Sequence, residues 1–397
     1  MRRILKTAVS FILILCTCQN ISGNDTLQMV SPEKAGFNSG HLLNIDSLMY
    51  GAIKQKKIPG AVVLVGRDKK IVYRKAFGNR NLVGIEEKMT IDTIFDIASV
   101  TKPVATASAI WKLVENGKLR LWDKVSLYIP EFETEKDKKN PICIYHLLTH
   151  TSGLKAYYPI EELKKKYSKT TIGILAKEIG KMERVDVPGK QFNYSCLGYI
   201  TLAFIVQKVS NTSIDKFTKK NIFKELDMND TFFLPEDKYH SRIAPTEIVD
   251  GKLLRGIVHD PLARLIGGIS GNAGLFSTVD DLAKFASMLL NRGVYNSKRI
   301  FSPLTVKAFI SVYPLLNKHG RSPGWDVFTD YSSSRGDIFP VGSFGHTGFT
   351  GISFWIDPET KVFLIFLSNR VHPGFEGNVV QIYGLVANIV AASIIKL

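Results

Sequence analysis

Phe95-Asp96-Ile97-Ala98-Ser99-Val100-Thr101-Lys102-Pro103 is the stretch on which the reading of this 397-residue chain turns. After Ser99, apolar residues recur at Val100, Val104, Ala107, Trp111 and Val114, in alternating steps of four and three that draw one buried helix face. Proline has no N–H and is tolerated in a helix only near its start, so Pro103 places Ser99 at the N-terminal end. There, unpaired backbone N–H groups and the positive end of the helix dipole face the serine oxygen, and the three-residue spacing sets the Lys102 amine on the same face. A serine hydroxyl is a weak nucleophile until a neighbour takes its proton, and a lysine does so only when its pKa drops well below about 10.4. As a bare pattern Ser-x-x-Lys says little, because the chain contains it five times, starting at Ser31, Ser99, Ser152, Ser213 and Ser393. Context selects Ser99: Gly153 interrupts the pattern at Ser152, Ser393 lies almost at the terminus, and Ser31 stands beside Pro32 in an irregular leader. On this stretch alone, Ser99 also suits a plain helix N-cap.

Outward from this helix the pattern changes on both sides. Ala61–Gly66 and Ile71–Ala76 flank a polar Asp68-Lys69-Lys70 turn and read as a β-hairpin. Near the other end, Gly351–Ile356 and Val362–Leu367 flank Asp357-Pro358-Glu359-Thr360-Lys361 and read as a second. Between them the periodicity is mostly helical. The expected fold is α+β: an antiparallel sheet built from both chain ends, flanked by helices, with an inserted mainly helical lobe. The sheet lobe is expected over about residues 24–95 and 300–397, and the helical lobe over about 96–299. No repeat, low-complexity segment or linker divides the chain, so residues 24–397 read as one domain. The apolar run Val379–Leu397 carries Gln381, Asn388 and Ser393 and reads as a helix packed on the sheet.

The N-terminus has Arg2, Arg3 and Lys6 before an apolar stretch from Ala8 to Leu15, then small and polar residues to Gly23, the layout of a secretory signal peptide over residues 1–23. The apolar stretch is far short of the roughly 20 residues that span a bilayer. An exported protein, periplasmic or envelope-associated, is expected, and lipid anchorage at Cys16 or Cys18 stays open. The formal charge of +16 remains strongly basic after loss of the leader. Its lysines are scattered, no zinc-finger spacing or compact basic run flanked by aromatics is present, and no nucleic-acid partner is expected. Cys143 and Cys196 are too few for a disulfide framework, and sequence leaves their pairing open, as it does the oligomeric state.

Two further elements bear on chemistry. Tyr194 follows the turn Pro188-Gly189, and its phenol can accept and return a proton beside a cation such as Lys102. Gly345-His346-Thr347-Gly348-Phe349 precedes the C-terminal hairpin; here a glycine lets a substrate backbone lie along an edge strand, while the strand offers an N–H to a developing oxyanion. Together, in this order, the three elements resemble the class C β-lactamase-like serine hydrolases, within the low-molecular-mass penicillin-binding-protein superfamily. The likeness continues through His146–Leu154, Gly274–Thr278 and Ser368–Pro373. It implies Ser99 as the acylated nucleophile, Lys102 and Tyr194 as proton carriers, an oxyanion hole from the N–H groups of Ser99 and Phe349, and substrate contacts from His346, Thr347, Gly348 and Cys196. In the same frame the His146–Ser152 stretch is a structural turn and not a rival triad.

The chain departs from that pattern twice. Where many relatives have Tyr-x-Asn, Cys196 stands in the third position, so an amide donor to the substrate is missing. Where many β-lactamases carry lysine, His346 opens the third motif and weakens the fixed positive charge. Gly256–Asp260 with Gly267–Gly274 resembles a penicillin-binding-protein 4B-like subset, and implies a substrate contact from His259 or Asp260. The expected function is an exported serine hydrolase, without metal or organic cofactor, acting through an acyl-serine. Its expected substrates are D-amino-acid peptides of cell-wall origin, peptidoglycan fragments included, or small esters. A weak β-lactamase and a catalytically impaired muropeptide- or penicillin-binding sensor are the alternatives.

Overall fold

The computed structural model describes residues 26–313, 319–374 and 378–397; the expected leader over residues 1–23, with Cys16 and Cys18, lies outside them. A short strand β1 (Gln28–Met29) and helix α1 (Asn44–Lys54) precede two long strands, β2 (Gly60–Arg67) and β3 (Lys70–Asn81). These form the first expected hairpin, turning at Asp68 in the left-handed region with φ 55°. β4 (Glu87–Lys88) pairs with β3, and β5 (Phe95–Asp96) leads into Ser99. Helices then dominate, among them α2 (Ser108–Glu115), α3 (Ile144–Leu148) and α4 (Cys196–Ser210). Strands β6 (Phe232–Phe233) and β7 (Leu275–Ser277) join β5 in a small sheet of their own, and α5 (Val279–Leu290) follows. The chain returns through β8 (Phe344–Gly348), β9 (Ile352–Asp357) and β10 (Val362–Ser368), and α6 (Val380–Ala392) closes it.

The main sheet runs β1-β3-β2-β10-β9-β8. Its two halves meet where β2 pairs antiparallel with β10, Leu64 opposite Ile365, so the sheet is built from both chain ends as the hairpin patterns imply. The Asp68 N–H donates to the Lys361 carbonyl at 2.8 Å and ties the two hairpin turns together. Side chains alternate across these strands because successive Cβ atoms point to opposite faces. Val62, Leu64, Phe363, Ile365 and Leu367 enter one core with Leu282 and Phe285 of α5. Ala61, Val63, Val65, Leu364 and Phe366 enter a second, with Ile45 and Met49 of α1 and Ile382 and Val386 of α6. The C-terminal apolar run is thus a helix on the sheet, and among the described residues no helix is long and apolar enough to cross a membrane.

One element differs from its sequence reading. Instead of one regular α-helix after Ser99, the chain makes a 3₁₀ turn over Ala98–Val100, a π-helical turn over Lys102–Ala107, and only then α2. Pro103 has no N–H for the Ser99 carbonyl, so the regular ladder cannot start there. The Ser108 hydroxyl donates to the Pro103 carbonyl at 2.9 Å, and all six residues of the π turn are buried.

The centre of the sheet is packed without slack: a Cβ on Gly66 would lie 2.1 Å from the Phe363 ring, which is itself fully buried. Phe363→Ala is expected to cost about 3–5 kcal/mol, seen as a lower urea midpoint with native far-UV circular dichroism retained in buffer.

Candidate active site

Ser99 stands on a turn that its neighbours hold in place. β5 pairs with β7, Asp96 opposite Phe276, and the Ile97 N–H extends the pairing to the Leu275 carbonyl at 3.0 Å. The chain then bends at Ala98, whose φ of 45° is in the left-handed region, a cost of about 1–2 kcal/mol for a residue with a Cβ. The Asp96 carboxylate accepts the Ala98 N–H at 2.8 Å, and a hydrogen bond to a charged group, about 1.5–3 kcal/mol, is enough to offset that strain. The second Asp96 oxygen accepts the His259 N–H at 2.7 Å. Burial pushes the Asp96 pKa up and outweighs the N–H donors that oppose it, while each of its two side-chain oxygens accepts one N–H.

Lys102 is fully buried behind Ser99, which is partly exposed. Its Nζ donates to the Ser99 Oγ at 3.0 Å and to the Asn272 carbonyl at 3.0 Å, and it lies 3.6 Å from the Cys196 Sγ and 5.0 Å from the Tyr194 ring centroid. Burial lowers its pKa, but the ionisable Cys196, Tyr194 and Asp260 around it raise it by more, and the balance is upward. The lowering expected from sequence is therefore not what this site produces: Lys102 rests as an ammonium. Cys196 contacts that ammonium and does not line the cleft; it and Cys143 are both free thiols.

Tyr194 is held by His150. The His150 carbonyl accepts the Asn193 N–H at 2.8 Å, its Nδ1 accepts the Ser195 N–H at 3.0 Å, and its ring stacks on Tyr194 with centroids 4.3 Å apart. Ser195 then caps α4, accepting the Gly198 N–H. The turn Leu147–Leu154 is thereby a brace for Tyr194, with Ser152 buried and accepting the Leu154 N–H.

The far wall of the cleft is β8, the edge of the main sheet. Gly345 exchanges both of its backbone bonds with Asp326, N–H to carbonyl at 2.8 Å and carbonyl to N–H at 2.9 Å. Backbone groups alternate sides along a strand, so the next set facing the same way belongs to Thr347, and Phe349 follows just past the strand end. Gly348 brings this end against the Ser99 turn: a Cβ there would be 2.6 Å from the Ile97 carbonyl. His346, 4% exposed, donates from Nδ1 to the Thr347 carbonyl at 2.7 Å, and burial, Arg321 and Lys102 hold its pKa well below 6.5. Its ring is neutral and cannot act as the fixed cation that a lysine would be. The resulting cleft, about 260 Å³, is lined by Ser99, Tyr194, His346, Thr347, Gly348 and Phe349 together with Arg321, Asp326, Tyr331, Arg370, Val379 and Tyr383.

Residues 45–388 match the family model described as Beta-lactamase. The chain belongs to the beta-lactamase family. It is 32% identical over 373 residues to a protein of Escherichia coli (strain K12) named "Putative D-alanyl-D-alanine carboxypeptidase", with 86% of this chain and 85% of that one covered. Among solved structures it resembles the octameric penicillin-binding protein homologue from Pyrococcus abyssi, at 26% identity and a TM-score of 0.65, covering 87% of this chain and 76% of that one. It shares its fold with EstCE1, a hydrolase with promiscuous acyltransferase activity, at 22% identity and a TM-score of 0.70, covering 89% and 99%. The chain is a serine hydrolase of this family.

Two of the expected substrate contacts of this beta-lactamase-family chain lie away from the cleft. Asp260 caps a short helix over Pro261–Leu265, accepting the Ala263 N–H at 2.8 Å, and also accepts the Tyr157 hydroxyl at 3.2 Å. His259 is one layer behind the wall, stacked on the Phe349 ring at 5.4 Å with its Nε2 3.1 Å from Glu247. Sequence reasoning passed over Asp96, Arg321 and Arg370 as site residues. Asp96 and Arg370 lie within the stretches Phe95–Ala98 and Ser368–Pro373 but follow no period, and Arg321 comes from a stretch without regular structure that only tertiary folding brings to Tyr194, 6.0 Å away.

Burial also makes His146, His150 and His346 a source of acid sensitivity. The His146 pKa is pushed down to about 4, and those of His150 and His346 well below 6.5. Above pH 6.5 folded and unfolded chains both hold these rings neutral, and no stability is lost. Below it the unfolded chain gains protons that the folded chain refuses, so stability falls, for His146 until about pH 4. Moving from pH 7.5 to 5.5 is expected to cost roughly 1.4 kcal/mol per ring, about 4 kcal/mol together. The urea midpoint measured at the two values checks this; equal midpoints would mean that the folded rings protonate normally.

Proposed function

We propose that this serine hydrolase is exported and releases the C-terminal residue of D-amino-acid peptides of cell-wall origin through an acyl-serine on Ser99. One observation carries the reading: the Ser99 Oγ lies 3.0 Å from the Nζ of a fully buried lysine, in a cleft that Phe349, just past the end of the edge strand, also lines. The name of the Escherichia coli relative supports the substrate class, and the leader-like N-terminus supports export.

In the proposed reaction the substrate lies along β8, bonding to the outward backbone groups at Thr347. The Ser99 Oγ attacks the scissile carbonyl carbon while its proton passes to the Tyr194 oxygen, which takes it as a phenolate in the Lys102–Tyr194 pair, the Lys102 ammonium lying 5.0 Å from the ring centroid. The carbonyl oxygen becomes an oxyanion between the N–H groups of Ser99 and Phe349, where the Lys102 charge also favours it. As the C–N bond breaks, the pair returns the proton to the leaving amine, and water repeats the sequence to free the acyl group. A leaving amino acid carries a carboxylate, and the cleft offers it a cation. The Arg370 Nε donates to the Phe349 carbonyl at 2.8 Å, and among the described residues its terminal nitrogens have no hydrogen-bond partner. With Cys196 bound to Lys102 and His346 neutral, the side-chain amide and the lysine cation that the two motifs carry in many relatives are both missing, which argues for slow turnover of β-lactams.

Intact-mass spectrometry after exposure to a fluorophosphonate, a penicillin and a p-nitrophenyl ester is expected to show a stoichiometric adduct that maps to Ser99. Ser99→Ala should lose the adduct and Ser152→Ala keep it; labelling of Ser99→Ala equal to the parent would sink the assignment. Arg370→Ala is expected to raise KM for an N-acylated D-Ala-D-Ala peptide roughly ten- to hundredfold relative to its effect on a neutral p-nitrophenyl ester, the worth of a hydrogen bond to a charged group. A parallel change for both substrates would remove Arg370 from carboxylate recognition.

A further inference from the structure

We infer that Asp96 is a positioning residue that holds the two backbone donors of the oxyanion hole in register; the inference rests on the acyl-serine reading of Ser99. The donors belong to segments some 250 residues apart in sequence, Ser99 after β5 and Phe349 after β8. Asp96 reaches both. Its Oδ1 accepts the N–H of Ala98, the residue before Ser99, at 2.8 Å. Its backbone carbonyl accepts the hydroxyl of Thr350, the residue after Phe349, at 2.7 Å. Its Oδ2 accepts the N–H of His259 at 2.7 Å, and the His259 ring stacks on the Phe349 ring. Each bond therefore ends on, or one residue from, a donor or its support.

Asp96 is 3% exposed and does not line the cleft, so it acts through these neighbours and not on substrate. The demand on it is geometric. Two N–H groups stabilise a developing oxyanion only when both lie about 2.7–3.1 Å from the point where it forms, and a shift of 0.5–1 Å of one segment forfeits much of that. A carboxylate is needed because two N–H groups converge on it: an asparagine has one acceptor oxygen and would turn its own N–H₂ toward the other donor.

Asp96→Asn and the near-isosteric Thr350→Val test this with p-nitrophenyl acetate as substrate and phenylboronic acid, which forms a tetrahedral adduct on an activated serine, as a mimic of the oxyanion state. Asp96→Asn is expected to lower kcat roughly ten- to hundredfold and Thr350→Val about tenfold, with KM within about twofold. Boronate affinity should weaken in proportion to kcat/KM. Should Asp96→Asn not fold, Thr350→Val, which removes one bond and no charge, carries the test alone. Unchanged boronate affinity in the folded variants would overturn the inference, whatever happened to kcat. A parent protein that fluorophosphonate fails to label on Ser99 would instead overturn the acyl-serine reading, and the inference with it.

Discussion

A lysine ammonium with no solvent contact is the constraint around which this molecule is arranged. Removing such a charge from water costs several kcal/mol, and the cost is met here by groups that converge from separate parts of the chain. Lys102 finds the Ser99 hydroxyl on its own turn, the Asn272 carbonyl from the segment before β7, and the Cys196 sulfur at the first turn of α4. Displacing any of these segments would leave the buried charge with one partner fewer. The helical region and the β5–β7 pairing are therefore bound to the chemistry of one side chain, and the raised pKa records the outcome: the neighbours hold the proton more strongly than burial expels it.

The opposite wall depends on the main sheet. Because β2 and β10 pair across the whole fold, the hairpins from the two chain ends become one sheet, and β8 falls at its edge beside the Ser99 turn. Asp326 occupies the edge at Gly345 and leaves the stretch from Thr347 to Phe349 facing the cleft. Gly348 allows the approach, since a side chain there would meet the Ile97 carbonyl. A partly exposed serine on a buried lysine and an edge strand, each unremarkable alone, form a site because the sheet sets them against one another.

Histidine illustrates how context redirects a residue type. His146, His150 and His346 invite a catalytic or metal-binding reading, yet burial keeps all three rings neutral. His146 accepts the Cys143 N–H, His150 braces Tyr194, and His346 bonds to the next carbonyl on its own strand. His150 and His346 shape the cleft by stacking and hydrogen bonding, His146 caps the start of α3, and none offers a cation to a substrate.

The sequence by itself determined the parts whose signal is local. Alternation in the two hairpins and the helical period after Ser99 are set by which side chains must leave water, and they specified an α+β fold with a sheet drawn from both chain ends. Ser99-x-x-Lys102, Tyr194 and His346-Thr347-Gly348 were legible because each depends on residues within a few positions of one another. Tertiary structure decided what depends on distance through space. Pro103 changed the register of the helix start, and neighbours remote in sequence set the charge on Lys102. Asp260 went to a helix cap and His259 behind Phe349, while Asp96 met Thr350 and Arg370 met the Phe349 carbonyl. Hydrogen bonding, desolvation and charge coupling act over a few ångströms of space, and a linear pattern carries no record of which distant residues will lie within that range.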